Sequence, residues 1–298
     1  MTRGVRIGAK LPNNGPLPME LGIPALARRL EQAGVDSIWV SDHVVLPRRM
    51  ESPYPFAADG RANWPSDMPY FEPLIALALA ASATERVRLG TAVLVLPMRN
   101  PVMFAKQCAS IDVASGGRLE LGLGAGWLKR EFEALDAPFE RRGARLAEWI
   151  EIARDCWTGA PAARSSRDYT LPPEILCLPT PTHEIPILLG GHSPRALARA
   201  GAVGDGWLPQ QTAGEFDSAR LAGERALVAA AARDAGRRPE SLRTVLRIVG
   251  SAGRLDVVAD ALPSLAEAGV DEVIVDLVWE NDDQVDQIAV LSAATASA

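Results

Sequence analysis

The sequence predicts an α/β protein in which a single (β/α)8 TIM barrel spans residues 1–298, and three observations lead to this prediction. Eight short, mostly apolar runs alternate with helical patterns in a constant strand-then-helix order. One helix-to-strand junction is repeated near both ends of the chain. Two proline-rich segments fall outside the alternation, and without them the chain is close to the roughly 250 residues typical of one such barrel.

The eight predicted strands are apolar along most of their length, as strands buried on both faces are. The intervening segments have apolar residues at helical spacing, as in Leu146, Trp149 and Ile150. Short apolar strands that alternate with amphipathic helices form a parallel sheet, and eight such units allow it to close. The predicted strands cover residues 5–11, 37–41, 87–96, 118–123, 186–190, 205–209, 242–250 and 272–277.

The repeated junction joins a helix to the strand that follows it. The sequence LEQAGVDSIWV begins at Leu30, and the sequence LAEAGVDEVIV begins at Leu265, with a weaker copy, LARAGAVGDGWLP, from Leu197. In each copy an apolar helical stripe precedes a glycine, which favours the left-handed conformation that ends many helices. The repeat therefore indicates recurrent α/β units.

The two segments that interrupt the alternation are interpreted as insertions. Residues 43–70 follow the second predicted strand and contain Tyr54 and Trp64, whereas residues 160–184 precede the fifth strand and contain five prolines. Loops that follow barrel strands lie at the C-terminal mouth, where barrel enzymes keep their active sites. We expect the first insertion to cover the mouth, either as a lid or as a packed surface loop.

Composition excludes several classes of function. The net charge is −6, with 31 basic and 37 acidic residues and no basic cluster, so nucleic-acid binding is not expected. No apolar stretch approaches the roughly 20 residues that cross a membrane, and no signal peptide is recognisable, so we expect a cytoplasmic protein. Three cysteines without a C-x-x-C pair and three scattered histidines predict buried thiols and no metal site.

The second and third predicted strands carry the first candidate residues. Asp42 and His43 stand just beyond the end of the second strand, where an imidazole can transfer a proton. The neighbouring Asp42 can orient that imidazole or cap the insertion. Gly90 and Thr91 lie within the third strand, and a glycine there indicates a bulge, a close ligand or tight packing.

The fourth and fifth predicted strands end in glycine-rich turns. The turn GLGAG (122–126) frees backbone N–H groups to approach a ligand, although it lacks the full dinucleotide-binding fingerprint. The turn GGHS (190–193) precedes Pro194, which predicts a helix capped by Ser193. That helix N-terminus either binds an anion or is simply capped.

Taken together, these strand ends resemble those of the luciferase-like enzymes that use flavins or deazaflavins. The resemblance covers nearly the whole chain and is closest to the branch that uses the deazaflavin coenzyme F420. It implies a (β/α)8 barrel, coenzyme F420 as the cofactor with FMN as the alternative, and a homodimer. The matching segments are residues 33–43, 90–107, 114–127 and 188–207.

The resemblance also implies where the cofactor binds. In this family the ring lies in the barrel mouth against a bulge in the third strand that contains a non-proline cis peptide, which corresponds to Ala92–Val93 here. Asp42 and His43 then border cofactor and substrate, and the Gly190–Gly191 turn approaches the cofactor phosphate. The implied cofactor contacts are Ala92, Val93, Gly124, Ala125, Gly126, Trp127, Gly190, Gly191 and His192.

Two departures from the family pattern refine this expectation. Bacterial luciferases place a phosphate-binding arginine where this chain has Ala125, which favours the deazaflavin over FMN. The sugar-phosphate dehydrogenase of the F420 branch places a proton-donating glutamate where this chain has Trp127. Oxidation of a sugar phosphate is therefore not expected.

The predicted reaction is hydride transfer between coenzyme F420 and a small organic substrate. His43 would transfer the accompanying proton and Asp42 would orient it. Lys10, Trp64 and Trp207 are predicted to contact the substrate. Three alternatives remain open: an FMN-dependent monooxygenase supplied by a separate flavin reductase, a barrel aldolase in which Lys10 forms a Schiff base, and a barrel that binds a ligand without catalysis.

Overall fold

A closed ring of parallel strands wrapped by helices forms the body of the protein in the computed structural model, which describes residues 4–55, 60–62, 64–280 and 283–296. The strands are β1 (Arg6–Lys10), β2 (Ser37–Val40), β3 (Arg88–Val95), β4 (Leu119–Gly124), β5 (Arg164–Ser165), β6 (Thr170–Leu171), β7 (Ile187–Gly190), β8 (Gly206–Leu208), β9 (Gln210–Thr212), β10 (Arg243–Val249) and β11 (Glu272–Val275). The helices are α1 (Leu17–Glu20), α2 (Ile23–Gln32), α3 (Pro73–Ala81), α4 (Pro101–Ser115), α5 (Lys129–Ala134), α6 (Arg142–Trp157), α7 (Pro194–Val203), α8 (Ser218–Asp234), α9 (Leu255–Glu267) and α10 (Gln284–Ala296).

The ring closes because β11 pairs with both β10 and β1. The order around the ring is β1, β2, β3, β4, β7, β8, β10 and β11, and every pairing is parallel. Pro209 separates β8 from β9, and both of these short strands pair with β10. Together they form the sixth predicted strand, which is interrupted at Pro209 and continues past its predicted end. The predicted barrel and its eight strands are confirmed. The short strands β5 and β6 form an antiparallel hairpin within residues 160–184.

The repeated junction has the same hydrogen bond in all three copies. Asp36 Oδ2 accepts from the Ile7 N–H at 2.8 Å, and Asp271 Oδ2 accepts from the Thr244 N–H at 2.7 Å. Asp205 makes the equivalent bond, of 3.0 Å, to the first residue of β7. Each aspartate thus stands before one ring strand and binds the start of the strand preceding it. The repeat seen in the sequence is therefore a device that aligns neighbouring strands.

The N-terminal end of the ring is filled by an ion network rather than by apolar side chains. Glu120 and Glu272 are buried there, and Arg88 and Arg243 each bind both carboxylates. The bond from Arg88 to Glu272 measures 2.7 Å, and those from Arg243 measure 2.8 and 3.0 Å. These charge-assisted bonds offset the cost of taking the charges out of water, although Arg243 Nε is buried without a partner among the described residues.

Trp39 forms the next layer and lies across the lumen with apolar side chains from four other ring strands. We call this group the lumen cluster; its members are Trp39, Leu188, Leu208, Val245 and Ile274. Its Nε1 donates to Ser37 Oγ at 2.7 Å. A Cβ atom on Gly90 would stand 2.3 Å from the Trp39 ring, and one on Gly8 would stand 2.8 Å from Trp39 Nε1. Of the readings open for Gly90, the structure therefore supports tight packing, because the indole fills the space that a side chain would need.

Substitution of Gly90 by alanine is expected to destabilise the protein by about 1–3 kcal/mol, because the added methyl group must displace the Trp39 ring from a closely packed lumen. The free energy of unfolding in urea measures this effect. Gly223→Ala in α8 is the matched control, since no atom lies within 4 Å of its would-be Cβ. That variant should gain about 0.5–1 kcal/mol. Equal stability of the two variants would contradict the packing argument.

The outer helices bury the stripes that their sequences predict. Leu146, Trp149 and Ile150 of α6 are all buried, as are Val258 and Leu262 of α9. Residues at three- and four-residue spacing share one helix face, so each stripe packs against the strands. The helical predictions for these segments are confirmed.

The structure also bears on the cysteines, on metal binding and on membrane-spanning helices. The three cysteines are buried free thiols, as predicted, and burial raises the pKa of Cys156 to about 12. Over the described ranges, no three His, Cys, Asp or Glu residues are grouped so that they could hold a metal ion. No helix in those ranges is both long and apolar enough to cross a bilayer.

Candidate active site

The bulge in β3 forms one wall of the barrel mouth. The register between β3 and β4 shifts between Thr91 and Leu94, and the Ala92–Val93 peptide bond is cis. Both the bulge and the cis peptide stand where the family resemblance implies them. The side chains of Ala92 and Val93 are half-buried and pack against the lumen cluster. The bulge therefore offers a partly exposed apolar surface.

The glycines around the bulge have structural reasons to be glycine. A Cβ on Gly124 would lie 2.7 Å from Val93 Cγ2, and one on Gly190 would lie 3.2 Å from Val93 Cγ1. Gly126 and Gly191 have φ angles of +81° and +117°, which disfavour residues with side chains. These positions shape the mouth around Val93, and their contact with a cofactor stays a prediction.

His43 is held by a carboxylate from another part of the chain. It is 8% exposed and follows β2, and its Nδ1 lies 3.1 Å from Glu131 Oε2 on α5. The same carboxylate accepts from the Val44 N–H at 2.6 Å and is itself buried. A carboxylate beside Nδ1 favours a proton on that nitrogen, so Nε2 is left as the acceptor. Glu131 thereby fixes both the tautomer and the orientation of His43.

Asp42 does not orient His43, and that expectation was wrong. Its carboxylate forms a two-bond ion pair with Arg99, at 2.7 and 2.9 Å, and accepts from the Val95 N–H at 2.8 Å. The Asp42 side chain is fully buried in this arrangement. Asp42 therefore anchors the end of β3 just beyond the bulge, while Glu131 has the orienting role assigned to Asp42. Sequence reasoning missed Glu131 because the run KREFEA resembles a solvated helix face.

Three aromatic side chains lie against His43, and a fourth packs against two of them. The Tyr70 and Trp64 rings lie 5.4 and 6.0 Å from the imidazole, and the Trp127 ring lies 6.3 Å away. Tyr54 packs edge-on against both tryptophans, at 5.0 and 5.2 Å. We call these five residues the aromatic cluster. It brings together His43, Trp64 and Trp127, which the sequence analysis had selected separately.

Two polar atoms of the aromatic cluster differ in how they are satisfied. Burial raises the pKa of Tyr70 to about 12, and its hydroxyl lies 3.1 Å from Ser41 Oγ. Trp64 Nε1 is buried and has no hydrogen-bond partner within the described part of the chain. A buried donor without a partner is costly, so a bound acceptor at this place would be stabilised. Residues 56–59 and 63 of the same insertion lie outside the described residues.

Lys10 lies at the end of β1, two strands around the ring from the β3 bulge. Its Nζ donates to Asn14 Oδ1 at 2.8 Å. Burial, reinforced by the charge of Arg247, lowers the pKa of Lys10 to about 8. Arg247 on β10 binds Asp276 Oδ1 at 2.5 Å. Lys10 is thus half-buried in a charged part of the mouth, and its contact with a substrate stays a prediction.

Comparison with known proteins decides the family. Residues 22–273 match the model of the luciferase-like monooxygenases. The chain belongs to this family. The resemblance inferred from the strand ends is therefore confirmed over most of the sequence.

Relatives of this luciferase-like protein include characterised and uncharacterised members. An uncharacterised protein of Mycobacterium tuberculosis is 37% identical over 183 residues, covering 61% of this chain and 63% of the relative. An F420-dependent glucose-6-phosphate dehydrogenase of Amycolatopsis mediterranei is 32% identical over 186 residues, covering 61% of this chain and 51% of the relative. The chain thus spans less than two thirds of either relative.

A solved structure shares the fold of this luciferase-like protein along its whole length. The F420-dependent secondary alcohol dehydrogenase, in complex with an F420-acetone adduct, superposes with a TM-score of 0.79. The match covers 98% of this chain and 99% of the other, at 18% sequence identity. At that identity the likeness establishes the fold alone.

Trp207 of the luciferase-like chain does not line the mouth, so its assignment as a substrate contact was wrong. It is 1% exposed, and its Nε1 donates to the Gly191 carbonyl at 3.0 Å. Its neighbour Leu208 belongs to the lumen cluster, whereas Trp207 faces Val228 of α8 outside the ring. Successive strand residues point to opposite faces, and only Leu208 points inward.

The fifth ring strand leads into a well-capped helix. Ser193 Oγ accepts from the Ala196 N–H at 3.3 Å, which confirms the predicted cap of α7. His192 Nδ1 lies 2.7 Å from Glu224 Oε2, and its Nε2 lies 3.0 Å from the Gln210 carbonyl oxygen. Both imidazole nitrogens are engaged with the protein. His192 therefore positions the turn, and its predicted contact with a cofactor would be through the ring faces.

The mouth of the luciferase-like chain fits a flat, multi-ring cofactor. The half-exposed surface of Ala92 and Val93 offers a support for one ring face. Trp64 Nε1 of the insertion, which has no partner among the described residues, offers a hydrogen-bond donor. The imidazole of His43 lies 6.0 Å from the Trp64 ring, and Glu131 at Nδ1 leaves Nε2 as its acceptor nitrogen. The residues present thus suit a ring with hydrogen-bond acceptors at its edge.

Proposed function

We propose that this chain is an oxidoreductase that transfers a hydride between coenzyme F420 and a small organic substrate. The observation that carries the proposal is the juxtaposition of the β3 bulge with His43, held by Glu131 beneath the aromatic cluster. The relative named as F420-dependent supports coenzyme F420 as the cofactor. Family membership supports a redox reaction over the Schiff-base alternative.

Different residues of the mouth would support the cofactor ring, transfer the proton and exclude water. Bound coenzyme F420 would supply a ring carbon that accepts or gives a hydride. Ala92 and Val93 would support one face of the ring. His43 Nε2 would take the proton of a substrate hydroxyl, or return it to a carbonyl in the reverse direction. The aromatic cluster would exclude water and hold the substrate against the ring.

Trp127 argues against a sugar phosphate as the substrate. The resemblance places it where the sugar-phosphate dehydrogenases have a proton-donating glutamate. In this structure the Trp127 indole packs 5.2 Å from Tyr54 and 6.3 Å from His43, so the position provides an apolar wall. The nearest carboxylate of α5, Glu131, is already committed to His43. Proton transfer is therefore assigned to His43 alone.

Fluorescence titration of the purified protein tests the cofactor assignment. Trp64 and Trp127 lie in the mouth, so a bound ring should quench their emission. We expect saturable quenching by F420 and much weaker quenching by FMN. The variants Trp64→Phe and Trp127→Phe locate the signal, since each should remove part of the quenching. Tight binding of FMN without binding of F420 would favour the monooxygenase, and borohydride trapping of a carbonyl compound on Lys10 would favour the aldolase.

A further inference from the structure

Two cationic side chains lie close together on the part of the barrel wall formed by β10, β11 and β1. Lys10 ends β1 and Arg247 lies on β10, with β11 between them: Ile274 of β11 is in register with Arg247 and with Gly8, two residues before Lys10. Their charges are close enough for Arg247 to lower the pKa of Lys10. One carboxylate, that of Asp276 just after β11, faces the pair. Two positive charges and one negative charge leave this wall with an excess positive charge.

Asp276 is committed to Arg247 rather than to Lys10. Arg247 Nη2 lies 2.5 Å from Asp276 Oδ1, while its Nη1 donates to the carbonyls of Ile248 and Ile274. The guanidinium is therefore fixed in the wall, with its charge balanced by one neighbour. The remaining positive charge belongs to Lys10.

Lys10 is half-buried, and none of the described residues forms an ion pair with it. Within the ranges the structure describes, its only hydrogen bond is to the neutral amide oxygen of Asn14, at 2.8 Å. A partly buried ammonium group lowers the stability of the folded chain unless an anion compensates its charge. An uncompensated buried charge in a mouth is a recognised property of functional sites.

The cationic wall is continuous with the aromatic cluster through Tyr54. The Tyr54 side chain is hydrogen-bonded to Gln210 on β9, and the charge of Arg247 acts on its hydroxyl. The same ring packs against Trp64 and Trp127. A ligand could therefore place an apolar body against the indoles and a charged end against the cations.

We propose that Lys10 and Arg247 form an anion subsite, so that the substrate of this enzyme is a small organic anion with an apolar body. Its carboxylate or phosphate group binds Lys10, and its body packs on the aromatic cluster. Charge-assisted hydrogen bonds from the ammonium group hold the anionic end. This inference rests on the proposed function, because it takes the space between the bulge and the cationic wall as the substrate site.

Calorimetric binding of a matched pair of ligands tests the subsite. Phenylpropionate and phenylpropionamide have the same shape, and only the first is charged. Protein loaded with F420 should bind the carboxylate about tenfold more tightly than the amide, which corresponds to about 1.4 kcal/mol. Lys10→Met, which keeps the length of the side chain without its charge, should abolish this preference. Lys10→Arg should retain it.

Two results would overturn the subsite. Equal affinity for the two ligands, or failure of both to bind, would show that the wall does not select anions. An unchanged preference in Lys10→Met would remove Lys10 from the subsite. Phenyl phosphate distinguishes the two anions: tighter binding than phenylpropionate assigns a phosphate group, and weaker binding assigns a carboxylate.

The pH dependence of binding gives a second measurement. The charged groups facing Lys10 are Arg247 and Asp276, and phenylpropionate is ionised throughout the neutral and alkaline range. Its affinity should fall as pH rises through about 8, where Lys10 loses its proton. Lys10→Met should show no such fall. A fall that persists in Lys10→Met would contradict the assignment.

Repeating the titration without cofactor separates this inference from the proposed function. Selective anion binding to the cofactor-free protein would support the subsite even if F420 failed to bind. Absence of selectivity in a protein that does bind F420 would overturn the subsite and leave the proposed function standing. Selective binding that disappears when F420 is added would show that the cofactor's own anionic tail occupies the subsite, and would overturn the substrate assignment.

Discussion

Turnover is expected to fall by about 100-fold or more in His43→Ala, while the affinity for the cofactor changes little. The reason is that His43 Nε2 is the group proposed to move the substrate proton, whereas the β3 bulge supports the ring. Steady-state kinetics give kcat, and fluorescence titration gives the Kd of F420. Unchanged turnover would remove His43 from the mechanism.

Two glutamates of α5 provide a matched control for that experiment. Glu131→Gln keeps the volume of the side chain but presents an amide to His43 Nδ1, which favours the opposite imidazole tautomer. We expect kcat to fall about tenfold while KM changes little, because Glu131 acts through His43. Glu133→Gln alters the same helix at an exposed position and should leave kcat unchanged. Equal effects of the two substitutions would contradict the orienting role of Glu131.

Loss of the Asp42 carboxylate is expected to produce the largest change in stability, about 3 kcal/mol in Asp42→Asn. The substitution breaks a buried two-bond ion pair with Arg99, whose side chain is only 13% exposed, and weakens the bond from the Val95 N–H. Urea denaturation monitored by circular dichroism measures the free energy of unfolding.

Glu72 is the appropriate control because it is the outer partner of the same arginine. It lies 3.0 Å from Arg99 Nη2 and is 34% exposed, so its ion pair is screened by solvent. Glu72→Gln should cost less than about 1 kcal/mol. Similar losses in the Asp42 and Glu72 variants would show that burial of the ion pair does not determine its contribution.

The barrel was predictable from the sequence because its evidence is local and repeated. Each ring strand is a short apolar run, and the aspartate of the AGVD junction binds the start of the preceding strand, as Asp36 and Asp271 show. His43 and Trp64 were also identifiable, because residues just beyond a strand and in the loop that follows it lie at the mouth.

The errors arose where a role depends on a distant partner or on the direction of a side chain. The ion-pair partner of Asp42 is Arg99, 57 residues later in the chain, and no local sequence pattern around Asp42 predicts that pairing. Glu131 stands in a run of charges on a six-residue helix, although it is 2% exposed. Trp207 lies in a three-residue strand that is buried on both faces, so its sequence does not show which face the indole takes.

The ion network at the N-terminal end of the ring closes the barrel lumen at that end. Arg88 and Arg243 cross-link Glu120 and Glu272, and Trp39 lies above them like a floor. Cofactor and substrate must therefore both enter and leave through the C-terminal mouth. In the proposed reaction, a cofactor bound against the Ala92–Val93 bulge would therefore enter before the substrate and leave after it. The closed end of the barrel would then determine the kinetic order in which the two ligands bind and are released.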